Sequence, residues 1–178
     1  MPDSGFHERR KEYRLPYAEK VIFTDGQRTM TAHAANMSRG GVFAKTLNPF
    51  PIDTSGFLAF SLPQQSNALV VRAKVAHLVF DKHRCEVECG MGLQFIELTK
   101  TQKSALNLHV LNEQSSYLEL RELLKVERPD VNVVSRVLQR LPHLFESDLL
   151  GLRYRVSRIC TLFEPTETEN TGEHPISA

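Results

Sequence analysis

The sequence has no tryptophan, only three cysteines, almost no excess charge of either sign and no long apolar run. Each absence removes a class of function. Without an indole ring there is no large platform for stacking a ligand. Three cysteines, an odd number, do not make a disulfide framework, which suits a reduced cytoplasmic setting. Lysine and arginine total 22 against 21 for aspartate and glutamate, a net charge of +1. Any electrostatic function is therefore local, not a bulk attraction to nucleic acid or to a membrane surface. No stretch approaches the roughly 18 apolar residues of a membrane-spanning helix. The opening MPDSGFHERRKEYR lacks the apolar region of a signal peptide. What is present is globular composition: 41% hydrophobic and 24% charged over 178 residues, enough for one domain with an appendage.

Residues 1–8 read as a flexible leader. A basic stretch from Arg9 to Arg14 runs into Leu15 and Pro16, where proline disfavours helix and starts an extended segment. From Tyr17 to Leu98 the pattern is that of strands. Asp25 and Gly26 lie between two apolar runs and predict a hairpin on a type I′ turn. Val42–Ala44, Gly56–Leu62, Ala68–Phe80 and Cys85–Leu98 supply further strands. Alternation puts Val71, Ala73, Val75 and His77 on one face, and Gly90, Met91 and Gly92 interrupt the last strand. About six short strands separated by turns predict a small closed barrel. The period then changes. Leu106, Val110 and Leu111 mark a helix over Thr99–Asn112. Tyr117, Leu120 and Leu124 mark a second, and Val134, Val137, Leu138 and Leu141 a third; Leu149, Leu152, Val156, Ile159 and Phe163 fit a fourth, where Leu152–Val156 also fits an alternating strand and length favours helix. The chain thus divides into a leader (1–8), a barrel with its closing helix (9–112), a helical extension (113–163) and a tail (164–178). The tail's four acids, two prolines and lack of lysine or arginine predict disorder.

Two features carry chemistry. The first is Arg10-x-x-x-Arg14, preceded by Arg9. The second is Asn36-x-Ser38-x-x-Gly41, which also contains Arg39 and Gly40. An arginine fork pairs bidentately with phosphate oxygens or with the O6 and N7 of guanine, and its plane stacks on a base. Asn36 and Ser38 project to one face of an extended segment and suit a guanine edge. Gly40 and Gly41 permit positive φ and close backbone approach. In this order and spacing the two motifs resemble the PilZ family, bacterial receptors for the dinucleotide cyclic di-GMP, whose pattern is RxxxR followed by (D/N)xSxxG. Gly90 to Phe95 is similar to the glycine-led final strand of that domain, and the resemblance covers roughly residues 7–112.

The resemblance implies a mainly β fold: a six-stranded antiparallel PilZ-like barrel followed by a helical C-terminal extension. It implies a ligand site of Arg9, Arg10, Arg14, Asn36, Ser38, Arg39, Gly40, Gly41 and His77. His77 stands where many relatives have a contact facing the ligand. Arg9 resembles the members that hold a stacked pair of cyclic di-GMP molecules. The outputs linked to the family are motility, attachment (biofilm), exopolysaccharide production and virulence, each through a downstream effector protein.

No catalytic set is visible: HExxH, CxxC, GxSxG and a phosphate-binding Walker loop are all missing. Cys85 and Cys89 share a strand face, but a zinc site needs two more ligands, such as His77 and His83. The expectation is therefore a non-enzymatic receptor with no metal, no cofactor beyond the dinucleotide ligand, no nucleic-acid partner and no membrane span. A ligand-free protein-binding adaptor is the alternative, and the intact motifs argue against it. The apolar stripe of Val134, Val137, Leu138 and Leu141 needs a surface to cover it. It is expected to serve a homodimer or an effector in preference to folding back on the barrel.

Overall fold

The computed structural model describes residues 13–63, 65, 67–80, 89–144 and 148–163. The expectations for the leader, for Arg9, Arg10, Cys85 and His83, and for the acidic tail lie outside these residues. The strands are β1 (Leu15–Pro16), β2 (Lys20–Thr24), β3 (Thr29–Ser38), β4 (Gly41–Lys45), β5 (Ser55–Phe60), β6 (Leu69–Val79) and β7 (Gly90–Ile96). They are ordered β1-β3-β2-β5-β6-β7-β4, and β4 pairs back onto β3. Strands β2 to β7 therefore close a six-stranded antiparallel barrel, in agreement with the strand count, and β1 lies outside it on β3.

Alternation builds the barrel core. Val21 and Phe23 of β2, Leu58 and Phe60 of β5, Val71, Ala73 and Val75 of β6, and Met91, Leu93 and Phe95 of β7 all point inward and are buried together. The β2–β3 hairpin forms where Asp25-Gly26 predicts it, but on a four-residue loop. Thr24 pairs with Thr29, and Asp25 Oδ1 accepts from the Gln27 and Arg28 backbone N–H groups at 2.9 and 2.8 Å. The aspartate side chain thus organises a wider turn than the two-residue type.

Three helices follow: α1 (Lys100–Leu123), α2 (Val131–Leu138) and α3 (Leu149–Cys160), with a final 3-10 turn at Thr161–Phe163. Thr99 and Gln102 start α1 as a reciprocal capping box. Asp130 caps α2 and Asp148 caps α3. The periodicity predicts two helices across residues 99–124, and there is one of 24 residues. The core partner changes along it. Leu106 packs into the barrel, whereas Val110, Tyr117 and Leu120 join a second core with Leu124, Val134, Val137, Leu141, Leu152, Val156, Ile159 and Phe163. The stripe of Val134, Val137, Leu138 and Leu141 is consequently covered from within the chain, Leu138 only in part, so it needs no second surface. Arg153 of α3 ties the module together by donating to the carbonyl oxygens of Leu124, Val126 and Glu127 just past the end of α1.

The second core includes Leu15, the residue next to the arginine motif. Buried polar groups lie where it meets the first core, with His109 edge-on to Tyr17 at 6.0 Å. Glu113 is 4% exposed, and among the described residues neither of its carboxylate oxygens has a hydrogen-bond partner. His109 Nε2 and His143 Nε2 stand 4.0 and 3.8 Å away, beyond hydrogen-bonding range, and Tyr117 shares a 2.7 Å hydrogen bond with His143. Burial pushes the Glu113 carboxyl up to about 8. Burial first, and the neighbouring His109 second, pull His143 down to about 4. His109 is lowered by burial as well. Near neutral pH the cluster thus holds a protonated carboxyl between two uncharged imidazoles.

Among the described residues no helix is long and apolar enough to cross a membrane, and no group of histidine, cysteine, aspartate or glutamate is placed to hold a metal ion.

Candidate functional site

The strand registers assemble two lateral rows on the outer face of the barrel. One runs His77, Gly92, Phe43, Asn36, Pro16 across β6, β7, β4, β3 and β1. The other runs Lys74, Gln94, Gly41, Ser38 across the same first four strands. Between them lies an inward row of Val75, Leu93, Val42, Met37 and Leu15. Continuing the β1–β3 register by one residue sets Arg14 opposite Ser38. The residue that follows the second arginine of the first motif, Leu15, pairs with Met37, which lies between the two polar residues of the second motif, although the chain between the motifs forms an entire hairpin.

Two bulges make this possible. In β3 the register shifts between Ala34 and Asn36, so Ala34 and Met37 both face inward and Asn36 and Ser38 face out. In β6 it shifts between Val75 and His77. Simple alternation groups His77 with Val71, Ala73 and Val75. The bulge instead turns it to the outer face, where its ring stacks against Phe43 at 6.1 Å and 22°.

The glycines of β7 make room for these rings. A Cβ on Gly92 would overlap the His77 ring, and one on Gly90 would crowd the Phe43 ring as well as the Ala44 carbonyl. Gly41 acts through space too: its missing Cβ lets the Leu93 carbonyl approach across β4–β7. The positive φ expected of Gly40 and Gly41 does not occur, since Gly26 is the described glycine with positive φ. Gly40 instead binds the loop at both ends. Its N–H donates to Ser38 Oγ at 3.2 Å, and its carbonyl accepts from the Phe95 N–H at 2.8 Å.

The polar atoms of the site are unequal. Ser38 is 8% exposed and holds the turn. Asn36 Oδ1 is buried and, among the described residues, has no hydrogen-bond partner, a state that costs free energy unless something supplies a donor. Arg14 is half-buried and Arg39 is exposed. Lys74 pairs with Asp53 at 3.1 Å. Sequence reasoning missed Phe43, Lys74 and Gln94. Phe43 sits inside the apolar run Val42–Ala44, which hides its outward orientation. The signal that could have exposed it is the Gly90-x-Gly92 spacing, which leaves one strand face bare for a neighbour's ring.

A family model for the PilZ domain matches residues 8–112. The chain belongs to the PilZ domain family. The match covers the arginine motif, the Asn36–Gly41 motif and the whole barrel. Among solved structures, the Bacillus subtilis inhibitor of motility MotI/DgrA is 22% identical with a TM-score of 0.50, over 61% of this chain and 52% of that one. Escherichia coli YcgR, solved in complex with c-di-GMP, is 13% identical with a TM-score of 0.51, over 62% of this chain and 48% of that one. At these identities the likeness is one of fold. The aligned part spans about half the length of each relative. No curated protein matches the chain.

Proposed function

We propose that this PilZ protein is a non-catalytic receptor for cyclic di-GMP. The observation that carries the reading is the buried Asn36 Oδ1, left without a donor among the described residues on a face where the β1–β3 register brings in Arg14. A guanine edge offers N1–H and N2–H donors that match this oxygen, and the guanidiniums match phosphate or the guanine O6 and N7. Phe43 and His77 add a flat shelf along the same row. The complex of the related YcgR with c-di-GMP supports the choice of ligand.

Arg9 and Arg10 extend the arm beyond Arg14. Ligand binding draws them onto the barrel beside Asn36 and Ser38, and ordering the arm changes the surface that partners read. Three guanidiniums offset the repulsion between phosphates of two stacked ligands, so the stoichiometry is two per chain. The setting is cytoplasmic. The output is regulation of an effector in motility, attachment, exopolysaccharide or virulence pathways, with self-association through the exposed faces of the C-terminal helices as an added route.

Calorimetric titration tests this, with GTP and a short oligonucleotide as competitors. Saturable binding of two cyclic di-GMP molecules, undisturbed by either competitor, is expected. No binding would leave a protein-binding adaptor in its place, and one ligand per chain would remove the stacked pair.

A further inference from the structure

Helix α3 and the turn that ends it meet the segment around the arginine motif at two separate points. Phe163, in the turn that ends it, packs edge-on against Tyr13 with ring centroids 5.7 Å apart. Gly151, Tyr154, Arg155, Arg158 and Ile159, spaced along one side of the helix, line a cavity of about 550 Å³ with Pro16. Pro16 pairs with Asn36 and ends the outer row that begins at His77. The cavity therefore continues the candidate site past its edge strand.

The lining is specific in its chemistry. Among the described residues it contains two guanidiniums and one phenol, and no carboxylate. Tyr154 is 65% exposed, and the Arg158 guanidinium lies 5.8 Å from its ring centroid. An aromatic face beside arginines suits a nucleobase joined to phosphate. The volume falls within the range of small-molecule sites. The opposite side of α3, with Leu152, Val156 and Cys160, is locked in the helical core, so the lining is held on a fixed element.

We infer that α3 is the second wall of the dinucleotide site, with Tyr154 stacking on a base and Arg155 and Arg158 taking phosphate oxygens from the side opposite Arg14. This rests on the reading of the barrel face as a cyclic di-GMP site. It gives the helical module a direct part in ligand capture.

Full-length protein carrying Arg155→Ala and Arg158→Ala together, and separately Tyr154→Ala, tests the inference against wild type and Asn36→Ala. These α3 side chains are exposed, and unchanged thermal melts verify folding. The double variant should bind cyclic di-GMP about tenfold or more weakly, with a shallower salt dependence. It should lose affinity equally for cyclic di-AMP, because phosphates carry no base identity, whereas Asn36→Ala should alter the ratio of the two ligands. Tyr154→Ala should weaken both by a smaller factor. Wild-type affinity in both α3 variants would overturn the inference while leaving the barrel site standing. Loss of oligonucleotide binding with cyclic di-GMP affinity intact would also overturn it, assigning the face to nucleic acid. Failure of the wild-type chain to bind any cyclic dinucleotide would remove the barrel site and this inference together.

Discussion

The barrel and the helical module have opposite interiors. The barrel core is a set of apolar side chains from alternating strand positions, with Tyr17 the exception that carries a hydroxyl; that hydroxyl donates to the Ser61 carbonyl. The module brings a buried carboxyl, two imidazoles and the Ser116 hydroxyl to its boundary with the barrel, where His109 meets Tyr17. Leu15 and Tyr17 stand two residues apart in the chain and are buried in different cores. The difference teaches that the barrel is a fixed frame on which motif residues are placed. The module is a second, titratable body gripping the base of the arginine arm.

The largest effect should come from removing one body. Truncation after Gln114 keeps the whole barrel core and strips Leu15 and Val110 of partners that come from the module. The shortened chain should still melt cooperatively, with a smaller urea m-value in keeping with the reduced surface, and its grip on the ligand should weaken. A truncated chain with no cooperative transition would show that the two bodies are one.

Within the barrel frame, replacing both Arg10 and Arg14 by alanine should abolish measurable cyclic di-GMP binding. Removing a charge-assisted hydrogen bond costs on the order of 1.5–3 kcal/mol, and the double variant removes at least two. Wild-type binding isotherms from the double variant would end the receptor reading.

The buried titratable cluster predicts a pH effect on stability. Folded protein keeps the Glu113 proton up to about pH 8, while the unfolded chain releases it near 4.5. Stability contributed by this group therefore falls as pH rises through that window. His143 acts oppositely, since the unfolded chain takes up a proton near 6.5 that the folded protein accepts only near 4. The two oppose each other below 6.5, and His109 adds to the histidine side. Between 6.5 and 8 the contribution of Glu113 should fall by about 2 kcal/mol, at roughly 1.4 kcal/mol per unit. Glu113→Gln should flatten this slope in denaturant titrations at the two pH values. An equal slope in the variant would place the pH dependence elsewhere.

The smallest effect should belong to the uncharged reading contacts. Asn36→Ala and Ser38→Ala should each cost about 0.5–1.5 kcal/mol and narrow the preference for guanine over adenine. Equal losses for both dinucleotides would reassign these side chains to holding the turn, a role Ser38 already has through Gly40.

Much of the molecule is legible from its residues alone. The alternation of Val21 with Phe23 and of Val71 with Ala73 and Val75 gives the barrel, and the two motifs give the site. The bulges have no such signal. Ala35 and Ala76 are small and unremarkable, yet each inserts a residue that reverses the face of its successors in the strand, and His77 moves outward as a result. The continuity of α1 is hidden by Asn112–Ser116, a polar run that resembles a loop. Its polarity is satisfied in part locally, with Ser116 Oγ donating to the Asn112 carbonyl at 2.9 Å, and in part left buried at Glu113. The partner of the α2 stripe is unreadable because it depends on how three helices fold onto one another, which no local period encodes.

The distribution of tyrosine has an optical consequence. The chain has four tyrosines and no tryptophan. Tyr13 rests on Phe163, Tyr17 faces His109, Tyr117 touches His143 and Phe163, and Tyr154 lines the α3 cavity. Every tyrosine thus sits along the seam between arm, barrel and helices. Emission excited in the tyrosine band, where the phenylalanines of the barrel core hardly absorb, therefore reports on that seam.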